Sequence, residues 1–183
     1  MVSGTPDRRT VRKFKRGPRY PFHTTGRDER EEGRERVKRP SRHSIYMKMA
    51  HLAKLRSTCS KRQVGAVLVK GGRIIATGYN GSPSGMPHCI DEGCLIYEGH
   101  CVNTVHAEAS VISMCSKYGI ATDNTEMYVT TLPCGHCAKL LINAGVKKVY
   151  YDDEYESDLS KYFFKKAGVE LYQIEEVLKD ERM

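Results

Sequence analysis

The sequence predicts an α/β protein, a three-layer α/β/α sandwich built on a mixed, roughly five-stranded sheet. Two β-branched runs separated by Gly71-Gly72 predict an antiparallel hairpin. After this hairpin, segments with helical periodicity alternate with short strand-like runs, which is typical of a sheet covered by helices on both faces. A chain of 183 residues is long enough to form one domain with its own core.

The first 40 residues differ from the rest in charge. Residues 1–40 contain 13 Lys+Arg and 6 Asp+Glu, a balance of +7, which leaves 30 − 13 = 17 against 22 − 6 = 16, or +1, for residues 41–183. Because the first segment is also poor in aliphatic residues, we expect a disordered, basic N-terminal extension followed by one domain. We interpret the extension as a solvated segment, or as the result of a start site placed too far upstream. The alternative is an arm that binds a polyanion such as nucleic acid.

The elements of the domain follow from periodicity and capping residues. Ile45, Met49, Leu52 and Leu55 recur at helical intervals and predict a first helix at 44–56, capped by Ser41 or Ser44. The hairpin strands are expected at 64–70 and 73–79. Further along we expect a helix at 106–118 ending at Gly119, a strand at 126–131, a helix from Cys134 to Gly145, a strand at 147–151, a helix at 159–166 between Asp158 and Gly168, a strand at 169–174 and a polar C-terminal helix.

Two short motifs carry the chemistry. The first is His106-Ala107-Glu108 and the second is Pro133-Cys134-Gly135-His136-Cys137. Cys134 and Cys137 lie about 60° apart on the first turn of a helix with ~3.6 residues per turn, so both sulfurs can face one point. His106 and Glu108, at i and i+2, converge only if His106 precedes the regular helix. H-x-E followed by P-C-x-x-C is the known signature of zinc nucleobase deaminases.

These motifs supply three metal ligands and one carboxylate. A structural zinc takes four protein ligands, whereas a catalytic zinc leaves one position for water. We therefore expect His106, Cys134 and Cys137 to hold a catalytic zinc, with Glu108 as the proton carrier for hydroxide attack on a base. The alternative is a structural site completed by His136 or Cys115. We otherwise expect Cys115 to be a core residue.

A second group of cysteines lies in and before a loop at 86–105. The loop holds five Cys and His residues within 14 positions, and Cys59 precedes the first strand. A long loop is costly to order without a metal or a similar clamp. We expect a second, structural metal held by Cys59, Cys89, Cys94 and Cys101, with His100 as the main substitute; scattered free cysteines are the alternative.

From about Arg39 to Tyr172 the chain resembles the deoxycytidylate deaminases of the cytidine-deaminase-like superfamily. The resemblance rests on Ser57-Thr58-Cys59, on 63–67 (QVGAV), on 77–85 (TGYNGSPSG) and on 143–146 (NAGV), in addition to the two motifs. It implies hydrolysis of dCMP to dUMP and ammonia, which feeds dTMP synthesis, with one catalytic Zn²⁺ per subunit. It also implies homo-oligomers, often hexamers, and regulation by dCTP and by dTTP with Mg²⁺.

The resemblance further implies roles for individual residues. Asn80 would contact the sugar and the Ala107 backbone the base, and Cys59 and Cys89 match two ligands of a structural zinc known in some members. Thr104 stands where some members have a carboxylate. Lys61, Arg62 and Tyr155 are candidates for the 5′-phosphate by charge and approximate position, and solvated surface is the alternative for each.

Other functions stay open at this point. One is deamination of another base or nucleoside, including the adenosine of tRNA. Another is a non-catalytic, zinc-stabilised module that binds nucleic acid. The chain shows no secretory signal and no run of 18 apolar residues, so we expect no membrane partner and a cytoplasmic, reducing location for its seven cysteines.

Overall fold

The computed structural model describes residues 39–155 and 158–180, which form one compact unit beginning at Arg39. The predicted extension lies almost wholly outside these residues. In order, the elements are α1 (Arg42–Lys54), β1 (Gly65–Lys70), β2 (Arg73–Tyr79), α2 (Cys89–Glu92), β3 (Ile96–Tyr97), β4 (His100–Cys101), α3 (Ala107–Tyr118), β5 (Thr125–Thr131), α4 (Gly135–Asn143), β6 (Val146–Asp153), α5 (Asp158–Ala167), β7 (Glu170–Gln173) and α6 (Ile174–Asp180).

The main sheet is mixed and five-stranded, as predicted. Its order is β2-β1-β5-β6-β7; β1 runs antiparallel to β2 and β5, whereas β5, β6 and β7 are parallel. The β1–β2 connection is the predicted Gly71-Gly72 turn, in which both glycines have positive φ (55° and 74°). Only glycine adopts two such consecutive conformations without strain. β3 and β4 form a separate small hairpin within the 86–105 loop, which sequence patterns did not predict.

Helices cover both faces of the sheet. Alternate residues of β1 point to opposite faces: Ala66 and Leu68 join the core beneath α3, α4 and α5, while Val67 and Val69 join the core beneath α1 and α6. Cys115 lies fully buried in the first of these cores, as expected for a core residue. The predicted three-layer α/β/α sandwich is therefore confirmed.

The first helix packs through a face that its sequence did not reveal. Ser41 caps α1 by accepting a hydrogen bond from the Ser44 backbone at 3.1 Å. Tyr46, Met47 and Ala50 are the buried residues. The apolar residues whose spacing predicted the helix are 38–73% exposed: Ile45, Met49, Leu52 and Leu55. The helix was correctly predicted, but its apolar stripe faces away from the core.

Three tyrosines form a stacked row beneath α1 and α6. Tyr128, Tyr150 and Tyr172 are register partners on the parallel strands β5, β6 and β7. Their ring centroids are 4.6 Å and 5.1 Å apart, with interplanar angles of 7° and 18°. The Tyr128 hydroxyl lies 2.8 Å from Nδ1 of His43 and donates to Glu126 at 3.2 Å. This row joins three strands through side chains as well as through the backbone.

None of the helices within 39–155 and 158–180 has both the length and the apolar character that crossing a bilayer requires.

Candidate active site

The start of α3 presents His106 and Glu108 to one pocket. His106 is the N-cap, with extended dihedrals (φ −67°, ψ 153°), and Glu108 lies in the first turn. The change of backbone conformation between them lets both side chains face the same side, as the motif spacing required. α3 ends at Gly119 in the left-handed conformation, at the predicted position.

Backbone contacts fix the position of this helix start. Gly81 and Val105 form an isolated β-bridge, with N···O distances of 3.2 and 2.9 Å, directly before His106. α3 also lies close against β2 at Gly78, where an added β-carbon would fall 2.6 Å from the Ala107 carbonyl oxygen. A side chain at this position would push the helix away from the sheet.

The two motif cysteines lie at the start of α4. Strand β5 ends at Thr131, Leu132 and Pro133 are buried, and Cys134 is the N-cap of α4. Cys137 follows one turn later and is buried. His136, between them, is exposed and is not part of the ligand group. The predicted convergence of Cys134 and Cys137 on one point is therefore confirmed.

The three ligand atoms have the spacing of a tetrahedral metal site. Nδ1 of His106 lies 3.6 Å from Sγ of Cys134 and 3.5 Å from Sγ of Cys137. With bonds of about 2.3 Å to sulfur and about 2.05 Å to nitrogen, a tetrahedral zinc ion would separate nitrogen from sulfur by about 3.6 Å. No further His, Cys, Asp or Glu of the described residues joins this group, so the described part of the chain offers three candidate ligand atoms here.

The protonation of the group depends on a cation. A hydrogen bond from the Cys137 thiol lowers the pKa of Cys134 to about 3, and the same bond raises the pKa of Cys137. The hydrogen bond with Cys134 also raises the pKa of His106. Without metal, the two sulfurs therefore share one proton. Zinc binding requires both thiolates and displaces that proton.

Glu108 is a buried carboxylate beside these ligands. Its exposed fraction is 4%, and burial raises its pKa to about 7. A carboxyl group near pH 7 in a pocket is typical of an acid–base catalyst, because it can both accept and release a proton. A bound cation would lower this pKa and favour the carboxylate.

These residues line a pocket of about 190 Å³. The lining combines His106, Cys134 and Glu108, here called the metal end, with the cationic side chains of Lys61 and Arg62, here called the cationic end. Glu108 is the only carboxylate among the lining residues, which are Cys59, Lys61, Arg62, Val64, Asn80, His100, Cys101, Thr104, His106, Glu108, Thr131, Leu132, Cys134 and Tyr155. Such a charge distribution favours an anionic ligand whose reacting group reaches the metal end.

Asn80 connects both ends of the pocket. It is buried; its Oδ1 accepts a hydrogen bond from the Ala107 backbone at 2.8 Å, and its Nδ2 donates to the Arg62 carbonyl at 3.0 Å. One side chain therefore fixes the first turn of α3 relative to the segment that carries the cations.

The cationic end is ordered by side-chain contacts. The Arg62 guanidinium lies 4.6 Å from the ring centroid of Tyr155, and Lys61 donates a hydrogen bond to the Gly99 carbonyl. The second contact holds the β3–β4 turn next to the pocket and brings His100 into its lining. Local sequence patterns contain no signal for this hydrogen bond, because 38 residues separate Lys61 from Gly99.

Known proteins contain a similar domain. A model described as the cytidine and deoxycytidylate deaminase zinc-binding region matches residues 40–152. The chain belongs to this family. The matched region is named for zinc binding and contains both motifs, and the predicted α/β fold is that of its members.

Several relatives cover most of the domain. ComE operon protein 2 of Bacillus subtilis is 46% identical over 140 residues, covering 76% of this chain and 74% of that protein. Deoxycytidylate deaminase of Enterobacteria phage T4 is 32% identical over 171 residues, covering 72% and 89%. Deoxycytidylate deaminase of Schizosaccharomyces pombe is 38% identical over 144 residues, but the chain spans only 44% of its length.

A solved structure supports the same assignment. The dCMP deaminase of cyanophage S-TIM5, in complex with dCMP and dUMP, aligns with a TM-score of 0.67 and 36% identity, covering 74% of this chain and 98% of that one. A tRNA:A34 deaminase aligns with a TM-score of 0.51 and 24% identity, which shows a shared fold alone.

A second thiol group borders the same pocket of this deaminase. The sulfurs of Cys59, Cys94 and Cys101 lie within 4.8 Å of one another. Cys89 lies 3.7 Å from Cys101, which matches the sulfur separation of about 3.8 Å in a tetrahedral zinc site. The Thr104 hydroxyl lies 3.2 Å from Cys101, and His100 lines the pocket without joining the group.

The surroundings of Cys59 favour its thiolate form. Burial alone would raise the pKa of Cys59. Hydrogen bonds with Thr104 and with the backbone of Arg62 lower this pKa by more, so it lies below its ordinary value. The structure thus brings together three of the four predicted cysteines, with the fourth beside one of them.

Three lining residues were not predicted from the sequence, namely Val64, Thr131 and Leu132. Thr131 is the last residue of β5 and Leu132 follows it. The signal that could have identified Thr131 and Leu132 is their place at the carboxyl end of a strand, where open α/β sheets bind their ligands.

Proposed function

We propose that this deaminase hydrolyses dCMP to dUMP and ammonia and so supplies dUMP for dTMP synthesis. The single observation that carries the proposal is a three-ligand group with tetrahedral zinc spacing beside a buried carboxylate, in a pocket whose other end is cationic. Several relatives are named deoxycytidylate deaminases, and the S-TIM5 enzyme binds both dCMP and dUMP.

His106, Cys134 and Cys137 would hold the catalytic zinc, through Nδ1 and two thiolates. Zinc, when bound, lowers the pKa of water towards neutrality and so supplies hydroxide for addition to C4 of the pyrimidine. The structural alternative with His136 or Cys115 as fourth ligand has no support, since His136 is exposed outside the group and Cys115 lies in the core.

Glu108 would carry the protons of the reaction. It accepts a proton from the attacking water and delivers it to N3 of the pyrimidine as C4 becomes tetrahedral. It then moves the proton of the new C4 hydroxyl to the departing amine, so that the C4 carbonyl forms as the bond from C4 to the amine nitrogen breaks. The net reaction consumes one water and releases one ammonia. A pKa near 7 suits both transfers, because neither the acid nor the base form is strongly favoured at neutral pH.

Asn80 and Ala107 would orient the nucleoside, Asn80 at the sugar and the Ala107 backbone at the base. Their mutual hydrogen bond supports this role, because it fixes both groups before a substrate enters. Arg62, Lys61 and Tyr155 would then hold the 5′-phosphate at the cationic end. Stacking on Tyr155 restricts Arg62, so less side-chain entropy is lost when it binds phosphate.

The test is ammonia release from dCMP, deoxycytidine, dCTP and tRNA. We expect dCMP to have the highest kcat/KM. Arg62→Gln should reduce kcat/KM for dCMP by at least tenfold and leave kcat/KM for deoxycytidine unchanged. Arg56→Gln is the matched control, because it removes the same charge from an exposed position. Equal turnover of dCMP and deoxycytidine would refute phosphate recognition. Faster turnover of tRNA would replace the proposal with the adenosine alternative.

A second metal at Cys59, Cys89, Cys94 and Cys101 is a separate proposal. We expect two zinc ions per chain by elemental analysis, and one in Cys94→Ser with the deaminase metal retained. Retention of both ions in this variant would contradict the ligand set.

Nucleic-acid binding without any turnover would instead support the non-catalytic module.

The family resemblance also supports a cytoplasmic homo-oligomer, often a hexamer, activated by dCTP and inhibited by dTTP with Mg²⁺. Repeating the substrate assay with each nucleotide, and measuring the mass in solution, tests these proposals.

A further inference from the structure

Three arginines surround a cavity that the deaminase reaction does not use. The cavity, of about 410 Å³, lies between the start of α1 and the β1–β2 turn. It shares no lining residue with the active-site pocket. Its lining residues are Arg39, Pro40, Arg42, Ile45, Tyr46, Gly71, Gly72 and Arg73.

Specific contacts shape this cavity. The Tyr46 hydroxyl donates to the Gly72 carbonyl at 2.7 Å and so ties the turn to α1. Nη1 of Arg42 lies 3.0 Å from the position that a β-carbon on Gly72 would occupy, and nothing lies within 4 Å of that position on Gly71. Because the turn has no side chains, its backbone forms an open floor beneath the guanidinium groups.

The charge of the cavity is not balanced by the described part of the chain. No described carboxylate lines it or forms an ion pair with Arg39, Arg42 or Arg73. Residues 39–183, which include all three arginines, carry a net charge of only 18 − 16 = +2, so this concentration does not reflect a general excess of positive charge. Three guanidinium groups around one floor repel one another unless an anion binds between them.

Phosphate is the anion that fits these donors. Guanidinium groups bind phosphate oxygens in a bidentate manner, and the positive end of the 13-residue helix α1 lies at the same place. The only aromatic lining residue is Tyr46, which is buried. The cavity therefore offers donors for phosphate groups and no exposed ring on which a base could stack.

We propose that the cavity around Arg39, Arg42 and Arg73 binds the phosphate backbone of nucleic acid, independently of base sequence. The chain reaches Arg39 from a segment rich in positive charge: residues 1–38 contain 12 Lys+Arg, and residues 8–27 contain eight with no acidic residue. Positive charge spread along a segment suits a polymer of phosphates better than one free nucleotide.

The test is fluorescence anisotropy with a labelled 20-base-pair DNA duplex and the full-length protein, from 50 to 200 mM NaCl. The variant is R39Q/R42Q/R73Q, and the matched control is K117Q/K165Q/K166Q, which removes three exposed charges from α3 and α5. We expect the arginine variant to bind at least tenfold more weakly at 100 mM. Its slope of log K against log [NaCl] should be shallower by about 2 to 3, since each lost phosphate contact contributes about 0.9.

The control should keep the wild-type slope, and both variants should deaminate dCMP at the wild-type rate. Equal loss of binding in the two variants would overturn the proposal, because overall charge would then explain it. Absence of wild-type binding at 50 mM would also overturn it. Weaker binding of tripolyphosphate but unchanged binding of the duplex in the arginine variant would also overturn the proposal, because the cavity would then take a free polyphosphate and not a nucleic acid.

Discussion

Replacing Glu108 with Gln should abolish turnover and, in the metal-free protein, increase stability. The amide keeps the size of the side chain but cannot carry the proton. Loss of a general acid–base group reduces rates by about 10² to 10⁴. Because Glu108 serves two transfers, we expect a reduction in kcat at or beyond the upper end of this range. Zinc content should not change, since Glu108 is not among the ligand atoms.

The stability effect follows from the raised pKa. Burial raises the pKa of Glu108 from 4.5 to about 7, and each unit is worth about 1.4 kcal/mol. Below pH 4.5 the carboxyl is neutral in both folded and unfolded states and costs nothing. As pH rises to 7, the carboxyl ionises first in the unfolded state. The free energy of unfolding of the wild type therefore falls by up to about 3 kcal/mol relative to that of the Gln variant.

Urea denaturation of both proteins with chelator, between pH 4.5 and 8, measures this difference. It should grow with pH up to about 7 and then become constant. Glu175→Gln is the matched control, because this carboxylate is 68% exposed in an ion pair with Lys179 and should change neither rate nor stability. A pH-independent difference for Glu108→Gln, or near-normal turnover, would refute the reasoning.

Three further predictions concern metal retention, helix position and the tyrosine row. Cys134→Ala should lose the catalytic zinc in native mass spectrometry, whereas Cys115→Ala should retain it; full zinc retention in Cys134→Ala would contradict the ligand assignment. Gly78→Ala should lower both Tm and kcat, because the added carbon would fall 2.6 Å from the Ala107 carbonyl oxygen, and normal kcat would show that the start of α3 can shift without harm. Tyr128→Phe should destabilise the fold by about 0.5 to 1.5 kcal/mol in urea denaturation, because it removes the hydrogen bonds to the half-buried His43 and Glu126, and turnover should not change; an unchanged midpoint would argue against these bonds.

Helix ends and the β1–β2 hairpin were predictable where a single residue type fixes the backbone. Ser41, Gly119 and the Gly71-Gly72 turn each satisfy a local requirement that no distant contact changes. The packing face of α1 was not predictable, because apolar residues occur on both of its sides. Tyr46, Met47 and Ala50 are buried because they pack against strand residues of the sheet, and the pattern of the helix alone does not show this.

The metal end of the active site was predictable for a related reason. A short motif places His106 and Glu108 within one turn of each other, and Cys134 and Cys137 within another. The cationic end depends on distant contacts, such as Asn80 with the Arg62 carbonyl and Lys61 with Gly99. Composition and periodicity contain no information about these pairs. The residues could therefore be named as candidates, but their positions relative to one another could not be predicted.

The row of three stacked phenol rings also makes the sheet visible to spectroscopy. The chain contains no tryptophan, so its near-ultraviolet circular dichroism and intrinsic emission come from tyrosine without a stronger chromophore to mask them. Rings held at 4.6 and 5.1 Å in fixed orientation couple electronically, and the coupling disappears when β5, β6 and β7 separate. A refolding experiment on the unlabelled wild type can therefore follow the pairing of the parallel strands directly.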